Sequence, residues 1–515
     1  VSALRAALAA VLSGVLLVFS VPRFGTGAVA WVALVPLLVA VEARGGRGAT
    51  WLAYLAGVIG SLGMLYWTAL VVVQYGGLSR PLAVAAMVAL CLVYASFHAG
   101  FGWILGTGVR QWGTLGLLVA PVAWVAMEAL RGHVLFRFPW FLLGYSQSQN
   151  LPILQLVSLG GVLAVSFLIV LVAAALALVV RHARDRSVRG ALVVVVMAWV
   201  AAFAWGATRL ARPVATAGTL RVGIVQAAIP QDEKWDPSSA WRNVEAHLRL
   251  SREAARQGAR LVVWPESAVP YDLDWTPQTA ADLRALARQD DVFLLFGNDD
   301  RDATGRVFVG AKLMDPAGHV TLRYHKMRLV PFGEYVPLEG VLGALGVKKL
   351  VQEVGSFAPG SKLVLGDVDG VHLGVSICYE ATFSDLARSA AREGAQVLVN
   401  ITNDAWYGWT SAPYQHFAMA RVRAVETGRF YVRCANTGIS SVIDPRGRLL
   451  GRTRLFQPTT LVENVGVCTE ATPYVRLGDI LGPLCLVAST SLLIWAAGRR
   501  WRSRRLRRST ADPLQ

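Results

Sequence analysis

Charge is scarce in this chain of 515 residues: Asp, Glu, Lys and Arg make up 16%, against 54% hydrophobic residues and a mean hydropathy of +0.46. That balance excludes an ordinary soluble domain over the whole length. Cysteine is scarce too, with five residues and no Cys-x-x-Cys pair, which excludes a disulfide framework. Cys91 and Cys485 fall in apolar segments and read as small buried hydrophobes. Cys434 and Cys468 fall in a polar segment, where an oxidising compartment would permit pairing. The eight histidines have no ligand spacing, and neither a P-loop nor a dinucleotide glycine motif is present. The expectation is therefore no metal and no cofactor.

Long apolar runs are plentiful instead. A membrane-spanning helix needs roughly 20 apolar residues, and candidate segments lie near 4–20, 27–42, 49–73, 82–107, 113–130, 152–180, 190–207 and 478–497. The first reads as a retained span, because no small-residue cleavage site followed by polar sequence comes after it. The formal charge of +17 does not argue for nucleic acid, since arginines cluster beside the apolar segments, at 181–189 and 499–508. Such clusters mark cytoplasmic flanks and attract anionic lipid heads. With the N-terminus inside, the alternation predicts a bundle of about seven spans over 1–212, an extracytoplasmic domain over 213–475, a final span over 476–498 and a basic cytoplasmic tail over 499–515. Arg23, Arg80, Arg131 and Arg137 then fall on the outer side, against the rule.

Within 213–475 short β-rich runs alternate with amphipathic stretches. Strands are predicted at 220–226, 260–264, 292–296, 307–314, 320–324, 371–377, 396–400, 430–434 and 440–443, and helices at 237–257, 277–289, 382–393 and 413–427. This alternation implies a layered α/β domain. Two irregular stretches, 336–360 and the aromatic loop Asp404-Ala-Trp406-Tyr407-Gly-Trp409, read as loops that could touch lipid.

Three predicted strands end in reactive side chains. The run ending Cys378-Tyr379-Glu380 places a thiol at a strand tip, Trp264-Pro265-Glu266 places a carboxylate, and His325-Lys326 places an amine. A thiol becomes a good nucleophile when a base takes its proton or a cation stands beside it, roles open to Glu266 and Lys326. Lysine is rare in this arginine-rich chain, and a compact ammonium approaches an oxyanion more closely than a planar guanidinium. His325 alternates to the opposite strand face from Lys326, and His416 reads as structural. Glu334 and Glu380 read as partners that hold Lys326 and order the site.

These three motifs resemble the nitrilase (carbon-nitrogen hydrolase) superfamily, whose triad is Glu, Lys and Cys in that chain order. Joined to a multispan bundle, Tyr324-His-Lys-Met-Arg-Leu-Val-Pro-Phe-Gly-Glu-Tyr-Val-Pro337, Asn403-Asp-Ala-Trp-Tyr-Gly408, Gln415-His-Phe-Ala-Met-Ala-Arg421 and Phe138-Pro-Trp-Phe-Leu-Leu-Gly-Tyr-Ser-Gln147 resemble the apolipoprotein N-acyltransferases of bacteria, over nearly the whole chain. The resemblance implies a multispan α-helical bundle plus an αββα sandwich. It implies Glu266 as base, Lys326 as oxyanion stabiliser and Cys378 as nucleophile, with Glu334, Tyr379 and Glu380 supporting and Trp235, Trp406, Tyr407 and Tyr414 on the substrate side. Family members often carry an asparagine in the strand before the lysine, where this chain has Val309-Gly310.

The activity so implied is acyl transfer from a phospholipid, typically phosphatidylethanolamine, to the α-amine of the diacylglyceryl-cysteine of a lipoprotein, through a thioester on Cys378. The enzyme would sit in the bacterial inner membrane with its catalytic domain outside. A membrane-anchored amide or nitrile hydrolase is the alternative, although anchoring alone needs a single span. A non-enzymatic transporter is disfavoured by the intact triad and by the rarity of intramembrane charge.

Overall fold

The structure is a computed structural model that describes residues 2–134, 137–234, 236, 238–269, 273, 276–335 and 357–509. All eight apolar segments are helical. In a bilayer that is the way an open chain satisfies its own backbone N–H and C=O groups. Among the described residues four helical runs are long and apolar enough to cross a membrane: Arg80–Arg131, Val157–His182, Arg186–Ala211 and Leu481–Ser503. A fifth candidate is the pair Ala49–Leu65 and Trp67–Tyr75, bent by 47°.

The remaining segments depart from simple spans for visible reasons. Ala3–Phe19 and Gly27–Ala43 are shorter apolar helices, and the second is broken where Pro36, at the start of Val35–Ala43, cannot continue the hydrogen-bond ladder. Segments 82–107 and 113–130 form one 52-residue run, about 78 Å if straight and more than twice a hydrocarbon core of roughly 30 Å. The run turns back at Gly113 (φ 58°, ψ −138°). Phe101 then meets Trp124 with ring centroids 5.2 Å apart, so its two arms lie antiparallel. Close packing rests on small residues: a Cβ on Gly102 would come within 2.4 Å of the Ala49 carbonyl, and Gly106 also faces Ala49.

Strands β1 (Thr219–Gln226), β2 (Leu261–Val263), β3 (Phe293–Gly297), β4 (Asp300–Arg301), β5 (Val307–Phe308), β6 (Gly310–Met314), β7 (Val320–His325), β8 (Leu365–Val368), β9 (Val371–Ile377), β10 (Val397–Thr402), β11 (Phe430–Ala435), β12 (Ser441–Ile443), β13 (Leu449–Arg452) and β14 (Thr459–Gly466) form the second body. They build two six-stranded sheets, β14-β1-β2-β3-β6-β7 and β13-β12-β11-β10-β9-β8, with β4-β5 as a separate ribbon. Strands β1, β2 and β3 run parallel in the first sheet, and β9, β10 and β11 in the second. Their facing side chains, among them Val222, Val263, Val375, Val399 and Val432, form one buried layer between the sheets. Helices Ala240–Arg256 and Pro277–Gln289 cover the outside of the first sheet. Ser384–Arg392 and Ala412–Thr427 cover the second. This is the expected αββα sandwich.

Each predicted strand is present, although 307–314 divides at Val309. Strands β4, β8, β13 and β14 were not predicted; β14, of mixed sequence Thr-Thr-Leu-Val-Glu-Asn-Val-Gly, is a half-exposed edge strand without the buried apolar start, Val397-Leu-Val399 or Phe430-Tyr-Val432, of β10 and β11. Cys434 and Cys468 are buried free thiols, Cys434 donating to the Val263 carbonyl at 3.2 Å.

Helix Ala412–Thr427 lies between sandwich and bundle. Trp140 Nε1 donates to Gln415 Oε1 (2.6 Å), Arg423 Nη2 to the Tyr145 hydroxyl (2.7 Å), and the Val162 amide to Glu426 Oε1 (3.0 Å). Trp140 and Tyr145 belong to the loop singled out in the sequence. Its close fit includes Gly144, where a Cβ would meet the Val162 carbonyl at 2.4 Å.

Candidate active site

Glu266 follows β2, Lys326 follows β7 and Cys378 follows β9, so all three stand just beyond the carboxyl ends of strands, at one edge of the sandwich. Strand ends place side chains on a rigid frame while freeing them from the ladder, which is where ligands gather in α/β sheets. All three residues are buried.

Lys326 Nζ donates to Glu266 Oε1 at 3.1 Å and to Glu334 Oε1 at 2.5 Å. Burial opposes the ammonium charge, but Glu266 and Glu334 outweigh it and hold Lys326 well above the ordinary lysine range. Burial, and then Glu266, push the Glu334 carboxyl up despite Lys326. Backbone amides fix both carboxylates: Glu266 Oε2 accepts from Asn403 N (2.8 Å) and Glu334 Oε2 from Val330 N (2.8 Å).

Burial, followed by the nearby Glu266, pushes the Cys378 thiol far above its usual range, although Lys326 pulls it down. The resting nucleophile is therefore a neutral thiol that needs a base at the moment of attack. Its backbone lies in the left-handed region, φ 51°, which costs a non-glycine residue about 1–3 kcal/mol and persists where surroundings enforce it. Glu380 supplies part of that enforcement: Oε2 accepts from Ile377 N and the Tyr324 hydroxyl, both at 2.8 Å, and Oε1 from Met327 N (2.6 Å) and Arg328 N (3.1 Å). Glu380 thus ties the nucleophile turn to the backbone after Lys326. Contrary to the expectation from sequence, Glu380 accepts no hydrogen bond from the lysine side chain; Glu334 does.

A second brace lies beneath the cysteine. His416 Nε2 is 3.1 Å from the Cys378 carbonyl, and Nδ1 is 3.0 Å from Asp404 Oδ1. Arg433 Nη2 donates to Asp404 Oδ2 at 2.8 Å. Burial opposes the Asp404 charge, but Arg433 and His416 hold its pKa down at about 2. His416 is structural, as read, yet it supports the nucleophile itself.

Sequence reasoning missed Lys234. It is buried, donates to the Glu266 carbonyl at 2.6 Å, and is pushed down to about 8 by burial against the pull of Glu266 and Asp299. Asp299 is pushed up to about 7 by burial and Glu266. The signal was available, since Lys234 is another rare lysine, beside Trp235. Trp235 itself lies outside the described residues, as does most of the irregular stretch, 336–356.

The other expected residues scatter around the site. Tyr379 points to the bundle, its hydroxyl donating to the Arg137 carbonyl (3.0 Å) and its ring stacked on Phe138. Tyr407 meets Trp67 (5.1 Å) and Trp140 (6.0 Å), building with them an aromatic wall that reaches His416. Trp406 packs on Tyr75 at 4.8 Å, while Trp409 packs at a tilt on Phe456. Tyr414 lies beneath the Arg23 guanidinium, 5.6 Å away, and none of its described contacts reaches the triad. His325 faces away from Lys326, bound to Asp300 at 2.8 Å. Among the described residues no group of three or more His, Cys, Asp or Glu is arranged to hold a metal ion.

The carbon-nitrogen hydrolase family matches residues 221–469, and the apolipoprotein N-acyltransferase N-terminal domain matches residues 13–175. A protein of Geobacter metallireducens named apolipoprotein N-acyltransferase is 37% identical, covering 96% of this chain and 95% of its own. Relatives of the same name from Methylococcus capsulatus (35%; 92% and 93%) and Gloeobacter violaceus (34%; 98% and 96%) match similarly. An amidase of known structure from Nesterenkonia covers 52% of this chain and 96% of its own, at 22% identity and a TM-score of 0.39.

Proposed function

The chain belongs to the apolipoprotein N-acyltransferase family, and from that premise we infer that its site moves an acyl chain in two half-reactions through Cys378. It is a membrane-integral acyltransferase acting on lipoproteins, with a carbon-nitrogen hydrolase catalytic domain. The donor we propose is a phospholipid, phosphatidylethanolamine foremost, and the acceptor the α-amine of a diacylglyceryl-cysteine.

Glu266 takes the thiol proton as the Cys378 sulfur attacks the ester carbonyl. The oxyanion is met by Lys326 Nζ and a backbone N–H at the Cys378 turn; a donor of this kind contributes about 2.7–4 kcal/mol. Collapse breaks the ester C–O bond, and Glu266 returns its proton to the departing lysophospholipid, leaving a thioester. The acceptor α-amine, whose reference pKa is about 7.7–8.0, then attacks the thioester carbon. Glu266 accepts the amine proton, the C–S bond breaks, and the thiolate recovers a proton from Glu266 as the amide forms. Exclusion of water protects the thioester between halves, a task suited to the wall of Trp67, Trp140 and Tyr407.

The observation that carries this reading is the buried Glu266–Lys326 pair, 3.1 Å apart and electrostatically coupled to the Cys378 thiol. It is tested by incubating purified enzyme with phospholipid and a diacylated lipopeptide. The expected product is the N-acylated peptide; free fatty acid alone would replace the acyltransferase reading with hydrolysis.

For topology we propose the span bundle over 1–212, the outer domain over 213–475, the last span over 476–498 and an inner tail over 499–515, in the cytoplasmic membrane. A single cysteine placed in the tail should resist a membrane-impermeant label in intact cells. Efficient labelling there would invert the arrangement.

A further inference from the structure

A cleft lies away from the triad, where the sandwich meets the short helix Pro473–Leu477 that precedes the last membrane helix. It has a volume of about 530 Å³ and its lining includes Arg392, Gln396, Arg429, Thr469, Val475 and Arg476, without a carboxylate. Arg392 ends helix Ser384–Arg392, Arg429 follows Ala412–Thr427, and Arg476 lies on the short helix Pro473–Leu477. Three separate elements therefore bring guanidinium groups to one place.

Among the described residues no ion pair neutralises the charge there. Arg429 is 2% exposed, and its donors go to main-chain carbonyls: Nε to Ala395 (2.7 Å), Nη2 to Thr469 (3.1 Å) and Nη1 to Gly428 and Glu470. Those bonds use four of the five guanidinium hydrogens and satisfy geometry, yet they bring no counter-charge, and a buried cation without one costs free energy. Arg392 and Arg476 stand exposed at the rim, and among the described residues no carboxylate pairs with any of the three. Arg388 does not compete for a ligand, because its side chain donates to the Tyr474, Val475 and Arg476 carbonyls and pins the short helix.

Position supplies the source of the anion. Arg476 precedes Leu481, the first residue of the last membrane helix, by five positions, and Leu477 (61%) and Ile480 (46%) between them are exposed apolar side chains. Tyr474, on the same short helix, packs against Gly161 of the apolar helix Val157–His182. The cleft thus sits at the level of lipid head groups. Guanidinium groups grip phosphate oxygens through charge-assisted, often bidentate bonds.

We propose that this cleft binds the phosphate of an anionic phospholipid in the leaflet facing the catalytic domain. The lipid would supply the missing counter-charge and fasten Pro473–Leu477, and with it the sandwich, to the membrane surface. The site is independent of the acyl chemistry at Cys378.

The test uses the full chain in detergent, equilibrated with mixed phosphatidylethanolamine and phosphatidylglycerol, with retained lipid read by native mass spectrometry. An arginine near the surface contributes about a factor of five to anionic-lipid attraction, so R392Q/R476Q, which removes two, should retain roughly 25-fold less phosphatidylglycerol and unchanged phosphatidylethanolamine. Acyl transfer in phosphatidylethanolamine alone should match the wild type, which shows that the variant is folded. Unchanged phosphatidylglycerol retention would overturn the proposal. So would its complete displacement by an equal concentration of inorganic phosphate, which would make the ligand free phosphate. Loss of transfer in phosphatidylethanolamine alone would overturn it as well, by assigning these arginines to folding or catalysis.

Discussion

The sheet β14-β1-β2-β3-β6-β7 delivers charge to the active edge, whereas β13-β12-β11-β10-β9-β8 delivers a neutral thiol on a strained backbone. Glu266 and Lys326 leave strands of the first sheet, and Glu334, Lys234 and Asp299 gather around them. Cys378 leaves the second sheet, braced by Glu380 and His416 and joined to the bundle by Tyr379 and, through helix Ala412–Thr427, by Trp140. Acid-base capacity and nucleophile geometry are thus built separately and become reactive where the sheets meet. Damage to one side should leave the other recognisable.

The largest effect should come from removing the base. Glu266→Gln keeps shape and a hydrogen-bond acceptor but cannot take the thiol proton, so acyl loading should fall by about 10²–10⁴-fold, the usual worth of general-base catalysis. Stopped-flow or quenched loading of folded protein checks this, and near-normal loading would detach the first sheet from the chemistry.

Lys234 tests the electrostatic floor of the same side. Its folded pKa of about 8 lies below the ordinary lysine value of 10.5, so between those values the unfolded chain binds more protons and this lysine makes stability rise with pH. A shift of this size corresponds to roughly 3 kcal/mol. Lys234→Met should be the more stable protein below pH 8 in this respect, and should flatten the pH dependence of thermal unfolding between about pH 8 and 10. An unchanged slope would contradict the burial of an uncomfortable cation beneath Glu266.

Lys326→Arg preserves charge while replacing a compact ammonium by a planar fork that must fit between Glu266 and Glu334. Transfer should fall more than tenfold, or about 1.4 kcal/mol, with the protein still folded. Wild-type turnover would remove Lys326 from the oxyanion role.

The smallest expected effect concerns the brace on the second side. Trp140→Phe keeps the aromatic wall but deletes the Nε1–H bond to Gln415, a loss of about 1 kcal/mol. It should lower the thermal unfolding midpoint and leave the rate of acyl loading on Cys378 within about twofold of the wild type. A larger loss of loading would show that the two sides are not separable.

What the sequence revealed follows this division. Strand tips ending in Glu266, Lys326 and Cys378 were legible because each apolar run stops abruptly at a reactive side chain, and their C-terminal strand positions bring them to one edge. The direction of Glu380 was not, because the positive φ at Cys378 sends the turn back and aims that carboxylate at the backbone of Ile377, Met327 and Arg328 instead of at Lys326. The bracing role of His416 was hidden for another reason. Helix Ala412–Thr427 is buried between sheet and bundle, so its sequence shows no solvent face against which an inward histidine could be recognised. Lys234 reaches Glu266 across 32 positions, a contact that local pattern does not encode. In the membrane part, apolar length marked the helices, while the reversal at Gly113 depended on a backbone conformation that hydropathy does not register.

The central claim is that these two sides cooperate to put an acyl group on one thiol, and the direct measurement is a trapped intermediate. Given phospholipid without lipopeptide, the wild type should accumulate one acyl group on the peptide containing Cys378, cleavable by neutral hydroxylamine, and lose it when the acceptor amine is added. Cys378→Ala should carry none and transfer none. Acyl transfer by folded Cys378→Ala, or acyl label on Cys434 or Cys468 in the wild type, would contradict the account.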